Sequence, residues 1–69
     1  MNTNQFFKEA TISNIIMLAE KTIGRKAVLN QIQYKHKELN KRSLEALELI
    51  RDNLIVEYNK AVKENRLKD

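Results

Sequence analysis

The sequence contains no proline and a single glycine, Gly24, among its 69 residues. Proline breaks a helix because its ring removes a backbone N–H and clashes with the preceding turn, and glycine weakens a helix through its flexibility. A chain almost free of both residues has few points at which a helix must end. The sequence therefore predicts long helices with few interruptions.

Apolar residues recur at intervals of three and four in three segments, whereas no alternating run indicates a strand. The segments are 3–23, 25–39 and 43–66, and the last has the broadest apolar stripe. The prediction is an all-α single domain over 1–69. It is either a helical hairpin or a three-helix unit, and the spacing leaves both open.

Two polar or flexible points separate these segments. Gly24 follows the last periodic isoleucine, and it either ends the first helix or lies inside a continuous one. Asn40 and Ser43 are good N-cap residue types, which predicts a turn within 37–43 before the third helix. Residues 65–69 are expected to fray, because chain ends lack neighbours that hold them.

Each predicted helix has more apolar surface than one partner helix would cover. A domain of this size buries only about 60% of its unfolded surface, so self-association would add stability. We therefore predict a homo-oligomer with an apolar interface. Its candidate interface residues are Ile12, Ile15, Ile16, Ile23, Leu47, Ile50, Leu54 and Tyr58.

The formal charge of +4 comes from the middle of the chain. Residues 25–42 include six basic side chains and one acidic side chain, a net charge of +5, whereas the flanking segments are close to neutral. Such a block is typical of a solvated helix face, and it is also typical of contact with an anionic partner such as a nucleotide or a nucleic acid.

The residue inventory argues against catalysis. The chain has no cysteine and one histidine, His36, with no further ligands at helical spacing, so we predict no metal site. It has no glycine-rich phosphate loop and no readable serine–histidine–acid pattern. We therefore expect a non-enzymatic protein without a cofactor.

The hydropathy pattern indicates in which compartment of the cell to expect the protein. The longest unbroken apolar run, 15–19, is far shorter than the roughly 20 residues that span a bilayer. The start of the sequence is polar and aromatic, unlike a signal peptide. The expectation is a protein of the host-cell cytoplasm with no membrane partner.

One spacing pattern resembles a known family. Phe7-Lys8 precedes Thr11, and Lys21 and Gly24 follow at the end of the first helix. Later elements are Arg42, Leu44, the pair Leu54-Ile55 and the triplet Lys60-Ala61-Val62. This arrangement, over about residues 7–62, resembles the phage cyclic-oligonucleotide sponge family, small helical hairpin proteins that block CBASS immunity. Phe7 stands where that family tends to have tyrosine.

The resemblance implies sequestration of a cyclic di- or trinucleotide messenger in pockets formed between protomers. By this likeness Phe7 would stack on a base, Lys8 and Lys21 would hold phosphate, and Thr11 would offer a hydroxyl. It also implies that Gly24 permits close helix packing and that Arg42 contributes from a neighbouring chain. Arg25, which follows Gly24 and could reach a phosphate, completes the candidate ligand-binding set.

Two other functions remain open at this point. The first is a small interaction module that docks the stripe over 12–23 or over 47–58 onto a host protein. The second is a basic nucleic-acid binder that uses residues 25–42. A saturable site for one class of small ligand would favour the sponge-like function over both.

Overall fold

The computed structural model describes residues 3–68, and they fold into helices without a strand in that range. The long helices are α1 (Thr3–Ile23) and α4 (Leu44–Lys63). Between them lie α2 (Arg25–Leu29), a 3-10 turn (Ile32–Tyr34) and α3 (His36–Leu39). The predicted all-α fold is confirmed, and α1 packs along α4.

Contacts at both ends of α1 show the course of the chain. Near its start, the Lys8 ammonium donates to the Asn40 carbonyl oxygen at 2.8 Å, just before α4 begins. Near its end, the Lys21 carbonyl oxygen accepts from the Lys68 amide at 2.8 Å, just after α4 ends. The two long helices therefore run side by side in the same direction. The middle segment between them runs back from the end of α1 to the start of α4.

The middle segment is less regular than the spacing predicts for 25–39. A continuous helix over that range would rise about 22 Å, whereas α1 from Gln5, whose side-chain amide donates to Asn40 Oδ1, to Ile23 is about 27 Å long. Gln31 and Lys35 have extended backbones, at φ −110° and −70°. Extended residues rise about 3.3 Å each, so these two and the 3-10 turn supply the missing length.

The core lies where α1, α3 and α4 meet. Ile12, Ile15, Leu39 and Leu47 are at most 1% exposed and form one cluster. Partly buried side chains pack around them: Ile16, Tyr34, Ile50 and Leu54. Towards the other end of the long helices the buried residues Ala19 and Ala61 are small, which permits close approach of α1 and α4.

Candidate functional site

The residues predicted to bind a ligand separate into groups along the molecule. Phe7, Lys8 and Thr11 lie in the first half of α1, whereas Lys21 lies in its last turn and Gly24 follows directly. Lys8 and Lys21 are about 20 Å apart along the helix axis at 1.5 Å per residue. These residues therefore do not form one pocket within a single chain.

In the first group, two of the three side chains make contacts inside the protein. The Lys8 ammonium binds the Asn40 carbonyl oxygen, and the Thr11 hydroxyl donates to the Phe7 carbonyl oxygen at 2.8 Å. Thr11 is buried, at 5% exposure. Phe7 itself is half exposed and meets the Phe6 ring edge-on, with centroids 5.6 Å apart. Phe7 is therefore the most exposed member of this group, whereas Lys8 is partly buried.

A charged contact lies beside this group. His36 Nε2 is 2.7 Å from Glu9 Oε2, and both side chains are about half exposed. The hydrogen bond with the His36 ring is the main reason that the pKa of Glu9 lies below its ordinary value. The pair joins α3 to α1 at the surface.

The second group borders an open cavity of about 480 Å³ at the opposite end of the molecule. We call it the Gly24 cleft. Its lining residues are Ile23, Gly24, Arg25, Lys26, Ala27, Leu29 and Lys68. The lining thus combines aliphatic surface with three cationic side chains.

The shape of the Gly24 cleft follows from how two helices end. Gly24 has φ 94° and ψ 150°, a backbone conformation that is essentially restricted to glycine, and this turns the chain from α1 into α2. Lys68 reaches the same place because its amide donates to the Lys21 carbonyl oxygen. That carbonyl is one of the last four of α1, which have no partner within the helix.

The route to Lys68 depends on an ordered turn after α4. The Arg66 amide donates to the Ala61 carbonyl oxygen at 2.7 Å, and the Asn65 amide donates to that of Val62 at 3.2 Å. Asn65 has a left-handed φ of 58°. This hydrogen-bond pattern is a Schellman motif, which ends a helix and redirects the chain. The expectation that 65–69 frays is therefore wrong for 65–68, and residue 69 lies outside the described range.

The cations of the Gly24 cleft are not used in the ion pairs found within residues 3–68. Those pairs join His36 to Glu9, Lys41 to Glu38, Arg51 to Asp52 and Arg66 to Glu64. Arg25, Lys26 and Lys68 are all exposed. A positive potential therefore extends over an aliphatic floor that includes Leu29, which is 59% exposed.

Arg42 lies at a separate, smaller cavity of about 250 Å³. Its other lining residues are Gln33, Tyr34, Leu39 and Ile50. This cavity borders the core cluster and does not join the Gly24 cleft through a shared residue. Within one chain, Arg42 therefore does not contribute to the same site as Arg25.

Most of the residues predicted to form an interface between chains are already covered within the single chain. Ile12, Ile15 and Leu47 are fully buried inside the single chain. Ile16, Ile50, Leu54 and Tyr58 are partly buried, and only Ile23 is exposed, at 38%. Most of this set is the protein's own core and is not a free surface for a second copy.

Sequence reasoning missed three residues of the Gly24 cleft: Lys26, Leu29 and Lys68. Lys26 and Leu29 were visible as a basic and an apolar residue after Gly24, but the spacing placed Leu29 on a buried face. Lys68 had no local signal, because its position depends on the contact with Lys21. The asparagine at position 65 was the one available hint, since asparagine tolerates a left-handed backbone.

No protein-family profile, curated protein sequence or solved structure matches this chain. Among residues 3–68, no three acidic or histidine side chains come together in a way that could hold a metal ion. Within that same range, none of the helices has both the length and the apolar character needed to cross a bilayer.

Proposed function

We propose that this protein is a non-enzymatic binder of a small nucleotide anion, and that the Gly24 cleft is its binding site. The observation that supports this most is the joint presence of Arg25, Lys26 and Lys68 around an aliphatic floor in one open cavity. The biological role would be sequestration of a cyclic oligonucleotide messenger in the cytoplasm of a phage-infected host. That role follows from the resemblance to sponge proteins.

The chemistry of such a ligand fits the lining of the cleft. A cyclic nucleotide has flat bases with apolar faces and phosphodiester groups with a negative charge. Ile23 and Leu29 offer aliphatic surface to a base, and the cations offer charge-assisted hydrogen bonds to phosphate. A guanidinium can bind two phosphate oxygens at once, so Arg25 is the strongest candidate for orienting the ligand.

This proposal changes the set of binding residues that the resemblance implies. Gly24 and Arg25 remain in the site, and Lys21 lies next to it in the last turn of α1. Lys26 and Lys68 are added. Phe7, Lys8 and Thr11 are about 18–24 Å from Ile23 along α1 and are left out of the site of a single chain.

Isothermal titration of the full-length protein against cyclic di- and trinucleotides tests the proposal. We expect saturable binding that the double variant Arg25→Ala, Lys26→Ala weakens at least about tenfold, the equivalent of one lost charge-assisted contact or more. The matched control is Lys37→Ala, Lys41→Ala. It removes the same charge at exposed positions outside the Gly24 cleft and should bind like the wild type.

Two results would contradict the proposal. The first is an absence of heat with every cyclic nucleotide at protein concentrations high enough to detect micromolar affinity. The second is equal weakening by the cleft variant and the matched control, which would indicate attraction by net charge alone. Linear RNA and duplex DNA are included as comparison ligands, and binding to duplex that falls steeply with salt would favour nucleic-acid binding.

The alternative functions gain less support from the geometry. The stripes over 12–23 and 47–58, which would dock onto a host protein, are largely covered inside the chain. The basic block is spread over three short elements and the turn before α4, and none of these elements is long enough to enter a DNA groove as a recognition helix. Lys41 is also paired with Glu38, and Lys35 donates to the Leu29 carbonyl oxygen.

A further inference from the structure

The smaller cavity, of about 250 Å³, lies between the middle segment and the first half of α4. We call it the Arg42 cavity. The 3-10 turn, α3, the turn before α4 and α4 itself each contribute to its lining, which consists of Gln33, Tyr34, Leu39, Arg42 and Ile50. None of these five residues is acidic, so the lining has a single positive charge from Arg42.

The inner part of the Arg42 cavity is the edge of the hydrophobic core. Lys35 has an extended backbone that separates the 3-10 turn from α3, so Tyr34 and Leu39 belong to different elements. Leu39 is a member of the core cluster and is 1% exposed, and Tyr34 and Ile50 pack against that cluster. The cavity therefore offers apolar surface from three sides of the core edge.

The polar groups of the lining are not used to hold the fold together. Within residues 3–68, neither the Arg42 guanidinium nor the Tyr34 hydroxyl makes an ion pair or a hydrogen bond. The position of Arg42 just before α4 does not stabilise the helix either, because cations are unfavourable beside a helix N-terminus. In the part of the chain that the structure describes, the charge of Arg42 thus has no structural role.

This combination of groups suits a carboxylate joined to an apolar body. A guanidinium binds a carboxylate through two parallel N–H···O bonds, and a phenol hydroxyl can donate one more. Small-ligand sites typically have a mostly apolar lining with a few polar groups that fix the orientation of the ligand. The Arg42 cavity has about half the volume of the Gly24 cleft and one cation instead of three, which favours a smaller ligand with one charge.

We propose that the Arg42 cavity binds a small monocarboxylate with a compact apolar body. The carboxylate binds the Arg42 guanidinium, and the apolar body lies against Leu39, Ile50 and the Tyr34 ring. This site is independent of nucleotide binding, since no residue lines both the Arg42 cavity and the Gly24 cleft. The same ligand chemistry occurs in free aromatic or branched acids and in the C-terminal carboxylate of a peptide.

Nuclear magnetic resonance of the isotope-labelled full-length protein, titrated with phenylacetate, tests the site. We expect saturable shifts of the Tyr34, Leu39 and Ile50 amide signals, whereas the Gly24 amide signal should stay in place. Phenylacetamide has nearly the same shape without the charge, so it should bind at least about tenfold more weakly. N-acetylphenylalanine represents a peptide C-terminus, and its affinity relative to phenylacetate distinguishes the two sources.

A pair of variants tests the role of Arg42. Arg42→Gln should raise the dissociation constant for phenylacetate at least about tenfold, because the charge-assisted contact is lost. Lys41→Gln is the matched control. It removes the same charge at the neighbouring exposed position, which does not line the cavity, and should bind like the wild type.

The proposal is overturned if neither phenylacetate nor N-acetylphenylalanine gives saturable shifts at concentrations up to about 10 mM. Equal affinity for phenylacetamide, or equal weakening by Arg42→Gln and Lys41→Gln, also overturns it. If Arg42→Gln alters signals throughout the protein, the comparison of phenylacetate with phenylacetamide on the wild type decides. A failure of cyclic nucleotides to bind would leave these results unaffected, because that failure concerns the Gly24 cleft.

Discussion

The backbone at Gly24 determines how α1 gives way to α2 and where the Gly24 cleft opens. Its φ of 94° and ψ of 150° fall in a region that side chains with a Cβ avoid. A Cβ at this position would lie 3.8 Å from Lys68 Cβ, which is an ordinary contact distance. The requirement for glycine thus comes from the backbone itself and not from crowding by Lys68.

We expect Gly24→Ala to lower the free energy of unfolding by about 1–3 kcal/mol, the usual strain of this backbone region for a residue with a Cβ. Urea unfolding followed by circular dichroism measures the change. Asn65→Gly is the control, because Asn65 is the described non-glycine residue with a positive φ and should gain or keep stability on this change. Wild-type stability in Gly24→Ala would mean that the turn adopts another conformation.

The contact between Glu9 and His36 makes stability depend on pH. The His36 ring, through its hydrogen bond, lowers the pKa of Glu9 from the ordinary 4.5. A carboxyl group that is more acidic when folded stabilises the fold above its unfolded pKa, and this contribution disappears as the pH falls through the lower, folded value.

We therefore expect wild-type protein to be more stable than Glu9→Gln at neutral pH, with the difference vanishing as the pH drops below 4.5. Thermal melting across that range measures it. The effect should be small and should shrink in high salt, because both side chains are about half exposed. A difference that persists unchanged at low pH would show that the hydrogen bond, and not the charge of Glu9, stabilises this corner.

At the level of elements, the start of α4 could be predicted from the sequence. Ser43 is the N-cap, and its hydroxyl oxygen accepts from the Ala46 amide at 3.1 Å. The residue type alone indicated this, since serine at the start of an apolar stripe satisfies a free amide of the first turn. Lys41 and Arg42 lie just before the positive N-terminal end of α4, where cations are unfavourable, but the helix begins at Leu44 nonetheless.

Ser43→Ala should lower the free energy of unfolding by about 1 kcal/mol, because the Ala46 amide loses its acceptor. Ser43→Asp retains an acceptor and adds a negative charge at the helix start, so it should keep the wild-type stability or exceed it. Chemical denaturation of the two variants side by side provides the measurement. Equal losses in both would show that the cap oxygen does not stabilise α4.

The middle segment and the end of α4 could not be predicted in the same way. The apolar spacing of 25–39 indicated a helix face, but Leu29 and Ile32 are 59% and 71% exposed. The backbones at Gln31 and Lys35 are extended because the middle segment has to run back along α1. The distance that it must cover depends on the length of α1. Local spacing contains no information about that distance, so only the tertiary structure reveals the breaks.

At the scale of the whole molecule, the sequence identified most core residues but not what covers them. Ile12, Ile15 and Leu47 were recognised as members of apolar stripes, and they are buried. The spacing could not distinguish burial within one chain from burial between two chains, because both require the same side chains. In α1 the difficulty was greater, since residues 10–19 include no charged side chain and so offer little contrast between its core side and its exposed side.

The two sides of α4 differ strongly in burial. Leu47 is fully buried in the core cluster, whereas Leu49, two residues later on the same helix, is 64% exposed. A chain of this length has a total stability of about 3–10 kcal/mol. Leucine-to-alanine changes in a core lower stability by about 2–5 kcal/mol, through lost burial and the cavity that remains.

Leu47→Ala should therefore remove a large share of the stability and leave the protein partly unfolded near room temperature. Leu49→Ala should stay within about 0.5 kcal/mol of the wild type, as exposed substitutions do. The two variants make the same chemical change in the same helix, so helix propensity cancels and the difference in their urea midpoints reports burial alone. Similar midpoints would mean that α4 presents a different face to α1 from the one described, and the position of Lys68 in the Gly24 cleft would lose its geometric basis.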